Sequence, residues 1–202
     1  MADAALEQIA VTLEDLMHLG SDARVEVING VVVEMAPVGG LHHIVNANIY
    51  NSLKSFVDEH ELGAVFMDGL LYLMNENAAH LRGSFVPDIS FIRRENIPAN
   101  WTLTLPFPGV PDLAVEVMSP SENAEDVQTK IRTYLDKGTE QVWVAYPATR
   151  EVYQYHKDQQ IVHIYKGSDL IDAGSLLPGF ILTLDAVFKL PSWAEKLDQG
   201  NT

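Results

Sequence analysis

Between His42 and about Glu59, the apolar positions Val45, Ile49, Leu53, Phe56 and Val57 recur every three or four residues. That is the spacing of one face of an amphipathic helix. Further upstream, Thr12 to Leu19 reads as a short helix that Thr12 caps and Gly20 ends. The stretch between them, "VEVINGVVVEM", has a different rhythm: two β-branched runs flank Asn29-Gly30, the dipeptide favoured in type I′ hairpin turns. With those two residues as the loop, Ile28 faces Val31 and Glu26 faces Val33, all on one face of the ribbon. Glu26 is thus an acid on a largely apolar face.

Three strand-like runs follow, at Ala64 to Met74, Phe85 to Arg93 and Asp112 to Ser119. The Pro-rich stretch "IPANWTLTLPFPGVP" separates the last two as a long loop. A second helix is expected from about Ala124 to Lys137, with Asn123 as its cap and Gly138 as its stop. Strands recur at Gln141 to Tyr146, Val152 to His156 and Ile161 to Tyr165, and a short helix at about Leu184 to Leu190 ends the pattern. Helices and strands interleave without strict βαβ repetition, so the expected class is α/β or α+β with a mixed central sheet. The length of 202 residues suits one domain, with its core over about residues 24–190 and tails that move.

Composition adds limits. An apolar content of 47% with 20% charged residues belongs to a folded globular chain. No apolar run approaches the roughly 18 residues of a membrane span, and the acidic start lacks the basic region of a secretory signal. A cytoplasmic protein is the expectation. With no cysteine, disulfides and Cys-based zinc sites are excluded. The formal charge of −15 argues against tight, sequence-independent DNA binding, which depends on cations that neutralise phosphates.

Two acids interrupt the strand-like runs. Asp88 is the only charge within "FVPDISFI", on one face with Val86, Ser90 and Ile92. Glu116 shares a face with Asp112, Ala114 and Met118 in "PDLAVEVMS". If the strands are neighbours, Asp88 and Glu116 meet across the sheet. Two bare carboxylates about 4 Å apart repel by roughly 4 kcal/mol at an effective dielectric near 20. A divalent cation turns that cost into a gain, and such oxygen ligands suit Mg²⁺. Asp112 lies about 13 Å along the strand from Glu116, too far for the same ion, and is read as the strand entrance.

No lysine accompanies Glu116 on its strand face: the position two residues on holds Met118. The next lysine, Lys130, sits on the shoulder of the apolar stripe Val127, Ile131, Tyr134 and Leu135. From the helical wheel alone, an ordinary surface pair with Asp126 is favoured. His42 and His43, about 100° apart on a helix, cannot easily share one metal. Ser119, Pro120 and Ser121 read as a turn. The aromatic "VYQYHKDQQIVHIY" reads as a hairpin and a candidate dimer interface.

In order, "EVING", "MAP", His42 opening its helix, "VPDISFI", "PDLAVEVMSPS", "KIRTYLDKG", "QVWVAYP" and "LPGFILTL" resemble the Uma-type family of inferred restriction endonucleases, within the PD-(D/E)xK superfamily. The resemblance spans about Glu26 to Phe188. It implies a restriction-endonuclease-like core, a mixed sheet flanked by helices, with the N-terminal hairpin and extra C-terminal strands. It also implies that Asp88 is the PD-motif acid, Glu116 the second acid and Lys130 the relocated lysine, with Glu26 a further acid. This chain has Asn29 where the family often has Asp, and Arg24 near an often aromatic position. The expected activity is Mg²⁺- or Mn²⁺-dependent hydrolysis of DNA by a homodimer, the ion held by Asp88, Glu116 and the Val117 carbonyl. Two alternatives stand beside it: a catalytically inactive nuclease-fold interaction module, and action on another phosphate ester.

Overall fold

A computed structural model describes residues 10–20, 23–74, 77–120, 122–159 and 161–198. The ends of the expected mobile tails, residues 1–9 and 199–202, lie outside these residues, as does Ser121. In chain order the elements are α1 (Leu13–His18), β1 (Val25–Ile28), β2 (Val31–Glu34), α2 (Gly40–Glu59), β3 (Gly63–Met67), β4 (Gly83–Ser84) and β5 (Ile89–Arg93). They continue with β6 (Leu113–Val117), α3 (Ala124–Lys137), β7 (Gln141–Tyr146), β8 (Glu151–His156), β9 (Val162–Tyr165), β10 (Leu170–Asp172), β11 (Ile181–Thr183), α4 (Leu184–Val187) and α5 (Ser192–Asp198).

The local signals act as expected at several ends. Thr12 caps α1 in a reciprocal box with Asp15, and Asn123 caps α3. Asn29 and Gly30 both take positive φ, 52° and 79°, as a type I′ turn requires. The hairpin register pairs Ile28 with Val31 and Glu26 with Val33.

The central sheet has six strands in the order β3-β5-β6-β7-β8-β9. Only the β6–β7 pair is parallel, so the sheet is mixed, as the sequence implied. α3 is the crossover that joins those two parallel strands. One sheet face, with Ile89, Phe91, Val115 and Val117, packs against Val45, Ile49, Leu53 and Val57 of α2 and against the C-terminal segment. The other, with Ile92, Ala114, Val142 and Val144, packs against Val127, Ile131 and Tyr134 of α3. Among the described residues no helix is long and apolar enough to cross a membrane.

Three expected boundaries shift. The run from Ala64 ends at Met67, because the chain turns at Gly69 (φ 114°); Tyr72 then makes only isolated bridges to Phe85 and Phe107. The run from Phe85 joins the sheet only at Ile89, since Pro87 has no N–H to give a ladder. Gly83 and Ser84, just before it, pair instead with β1. At the C-terminus α4 stops at Val187, and α5 and the β10–β11 pair escape the sequence pattern.

Asp112 is the structural acid of β6. Its carboxylate accepts the Arg93 N–H at 2.8 Å, Arg93 Nη1 at 3.1 Å and Asn96 Nδ2 at 2.7 Å. Asp112→Ala strips a partner from a partly buried backbone N–H and from a guanidinium. A loss of about 2–3 kcal/mol is expected in urea unfolding, with the cavity chemistry below untouched.

Candidate active site

The acid Glu116 sits on the α3 face of β6, beside Ala114. Asp88 immediately precedes β5. The register Ile89↔Val115 and Ser90↔Ala114, carried on by one residue, sets Asp88 opposite Glu116. The hairpin brings Glu26 to the same place from β1. Asp88, Glu116, Glu26, Lys130 and His42 all line one cavity of about 220 Å³, whose mouth also carries Arg24, Glu34, Glu122 and Asp126. Every one of the five is at least nine-tenths buried.

Lys130 reaches two of the acids from α3. Its ammonium lies 3.1 Å from both oxygens of Glu116 and 3.0 Å from Glu26 Oε1. Its Nζ also stands 5.8 Å above the centre of the Phe85 ring. The surface pair with Asp126, favoured by the wheel, is not what forms: the stem runs inward between hairpin and sheet, and the head meets two carboxylates. Met118, in the vacated position, packs half-buried against the α3-side core.

Each acid has further anchors. Glu26 Oε1 accepts the Val86 N–H at 2.9 Å. Tyr134 donates its hydroxyl to Glu116 Oε1 at 3.0 Å. Asp88 Oδ2 accepts the Val117 N–H at 2.7 Å and His42 Nε2 at 3.1 Å. A carboxylate only accepts, so Nε2 carries that proton. Both bonds land on Oδ2, which leaves Oδ1 as the oxygen open to a ligand. The other ring nitrogen of His42, Nδ1, is buried without a partner among the described residues. His43 is exposed on the next helical position, as two adjacent helix residues must diverge.

The electrostatics follow from burial. Desolvation pushes the Glu116 carboxyl up to about 8, against the pull of the Lys130 ammonium. Burial by itself lowers a lysine pKa, but Glu116 and Glu26 overcome it and raise Lys130 above its ordinary value. Lys130 therefore remains an ammonium. Burial likewise works to lower His42, and the bond to Asp88 reverses the sign. The Tyr134 hydroxyl is raised well above 10 by desolvation and by Glu116, so it stays a donor.

Sequence reasoning brought Glu26, Asp88, Glu116 and Lys130 forward, and the fold gathers all four. Val117 meets the site through its amide. The reasoning missed the Tyr134 hydroxyl and gave His42 no role. Tyr134 follows Lys130 by four residues, one helical turn on the same face, which is the signal that could have found it. Nothing local could tie His42 to Asp88, 46 residues away.

The oxygen set fits a hard divalent cation. Among the described residues no group of three or more His, Cys, Asp or Glu side chains could hold a metal. Mg²⁺ does not require one: it commonly takes one or two carboxylates and fills its octahedron with water and substrate phosphate. Asp88, just before β5, and Glu116, on β6, are the two carboxylates here that would hold such an ion.

A mixed sheet flanked by helices, with one acid just before β5, another on the adjacent β6 and a lysine from α3 beside them, defines a restriction-endonuclease-like domain. The chain belongs to the Uma2 family, described as "Putative restriction endonuclease", whose family model matches residues 10–185. The fold is similar to the crystal structure of a putative nuclease belonging to DUF820 from Anabaena variabilis. The two share 23% identity with a TM-score of 0.75, covering 88% of this chain and 97% of the other. No curated protein matches the chain.

Proposed function

We propose that this protein is a divalent-metal-dependent endonuclease that hydrolyses DNA phosphodiester bonds. The observation that carries the reading is the buried convergence of Lys130 on Glu116 and Glu26, with both heads 3.0–3.1 Å from the ammonium and Asp88 across the sheet. Burying three acids and a lysine together is costly. A cavity that opens to solvent beside them gives that cost a catalytic use.

Asp88 and Glu116 would hold the cation, with the Val117 carbonyl as a further ligand. Mg²⁺ or Mn²⁺ bound there supplies charge for the phosphoryl oxygens and an acidified water. Lys130 places a fixed positive charge beside the phosphate, where negative charge builds up in the transition state. Glu26 keeps that ammonium in position and is the nearest base to it. His42 and the Val117 N–H lock the Asp88 carboxylate so that one oxygen stays turned to its ligand. Tyr134 fixes the Glu116 carboxylate at Oε1, and Lys130 spans both of its oxygens. A homodimer is part of the proposal, and β9, the last strand of the sheet, leaves Val162 and Ile164 exposed along its edge.

The test is nicking of supercoiled plasmid by the purified chain. Conversion to open circles with Mg²⁺ or Mn²⁺, and none with EDTA, is the expected result. A second reading, an inactive nuclease-fold module, draws on the charge of −15 and on the acids Glu34, Glu122 and Asp126 around the mouth. It requires no cleavage with either ion and no metal-induced rise in melting temperature.

A further inference from the structure

The acidic mouth raises a physical problem for any polyanionic substrate: where do the phosphates on either side of the cut bond lie? A second cavity, of about 280 Å³, adjoins the first. Its lining includes Arg82, Lys137, Thr129, Thr133 and Asn29, and among the described residues it contains no carboxylate. The hairpin and α3 contribute to both linings. Ile28 lines one and the next residue, Asn29, the other; Lys130 lines one and Thr129 the other. Phe85, on the floor of the second, is the ring over which the Lys130 ammonium stands.

α3 joins them in a line. Asp126, Lys130, Thr133 and Lys137 are spaced by four, three and four residues, so they form one stripe along the helix. The first two line the acid-rich cavity and the last two the basic one. From Lys130 to Lys137 the stripe rises by roughly 10 Å, which corresponds to about three phosphates at one per 3.4 Å of axis for each strand. Arg82 is exposed on the turn before β4, on the hairpin side of the groove, while Thr129, Thr133 and Lys137 are half-buried on the helix side.

We propose that the groove between α3 and the β1–β4 edge, marked by Arg82 and Lys137, binds the backbone phosphates of the DNA strand next to the one held at Asp88 and Glu116. The inference rests on the nuclease reading above. Arg82 supplies a fork suited to phosphate oxygens, and Lys137 a point charge opposite it. Two cations facing the strand make binding possible for a chain whose net charge is strongly negative, because only the charges facing the strand release its counterions.

The test is fluorescence anisotropy of a labelled DNA oligonucleotide, single-stranded and duplex, with the full chain in EDTA across a salt series. Arg82→Gln/Lys137→Gln is expected to weaken binding at least tenfold at low salt and to reduce the log–log salt slope by about two. Thr133→Lys, which adds a charge to the stripe, is expected to tighten binding severalfold and steepen the slope by about one. Lys157→Gln/Lys166→Gln, away from the groove, is expected to bind as the native chain does. Native affinity and slope in the Arg82/Lys137 variant overturn the proposal, as does a native chain that binds neither oligonucleotide. If that variant does not fold, an unchanged affinity in Thr133→Lys overturns it instead. Since binding is read without metal, a groove-dependent binder that never nicks plasmid defeats the nuclease reading and leaves the groove standing. A chain that nicks while the double variant binds normally does the opposite.

Discussion

Lys130→Met is expected to abolish plasmid nicking and, in the same protein, to cost the fold about 3 kcal/mol. The reason is the geometry of the cluster. One ammonium lies within 3.1 Å of two buried carboxylates, and a thioether of similar length fills its space but supplies no charge. Glu26 and Glu116 are left buried without a counter-charge, and an unpaired buried charge is far more costly than a lost surface pair. The size of the loss is limited because Glu116, already pushed up to about 8, takes up a proton more readily once the ammonium is gone. Urea unfolding reads the stability, and nicking with Mg²⁺ reads the activity. A second substitution separates them. Lys130→Met/Glu116→Gln removes the extra carboxylate, so it is expected to recover part of the lost stability and none of the activity. Native-like stability in Lys130→Met would mean that the ammonium does not sit where the two acids meet.

Asp88→Asn has the opposite profile. The carboxamide oxygen still accepts the Val117 N–H and the His42 Nε2–H, so stability is expected to stay within about 1 kcal/mol of the native chain. What it loses is the charge that a cation needs. Several kcal/mol of transition-state stabilisation go with the ion, so nicking is expected to fall about a thousandfold. The rise in melting temperature that Mg²⁺ or Mn²⁺ gives the native chain is expected to shrink with it. Retention of both the thermal shift and the nicking would place the ion elsewhere and defeat the assignment of Asp88.

These two substitutions mark how far local reading reached. Asp88 and Glu116 were visible because an acid inside an apolar strand is conspicuous, and because alternation assigns each to a face. The hairpin was visible in Asn29-Gly30, and with it the face of Glu26. Lys130 was ambiguous. A shoulder position on a helix is equally compatible with a solvated ion pair and with a buried head group, since the wheel gives direction around the axis but not what lies there. Only the resemblance to Uma-type chains favoured the buried choice.

The sequence by itself determined the elements that carry the site: α2 and α3 with their stripes, the hairpin, the order of the acids and the mixed sheet class. Those follow from periodicity, caps and turn chemistry, which act over a few residues. Only the tertiary structure decided which distant groups meet: His42 with Asp88, Tyr134 with Glu116, Lys130 with two acids 14 and 104 positions before it. It also decided that Pro87 delays the entry of β5 and that Gly83 pairs with β1. Such contacts depend on register and on helix docking, and those are fixed by burial summed over the whole sheet. No stretch of a few residues contains that sum.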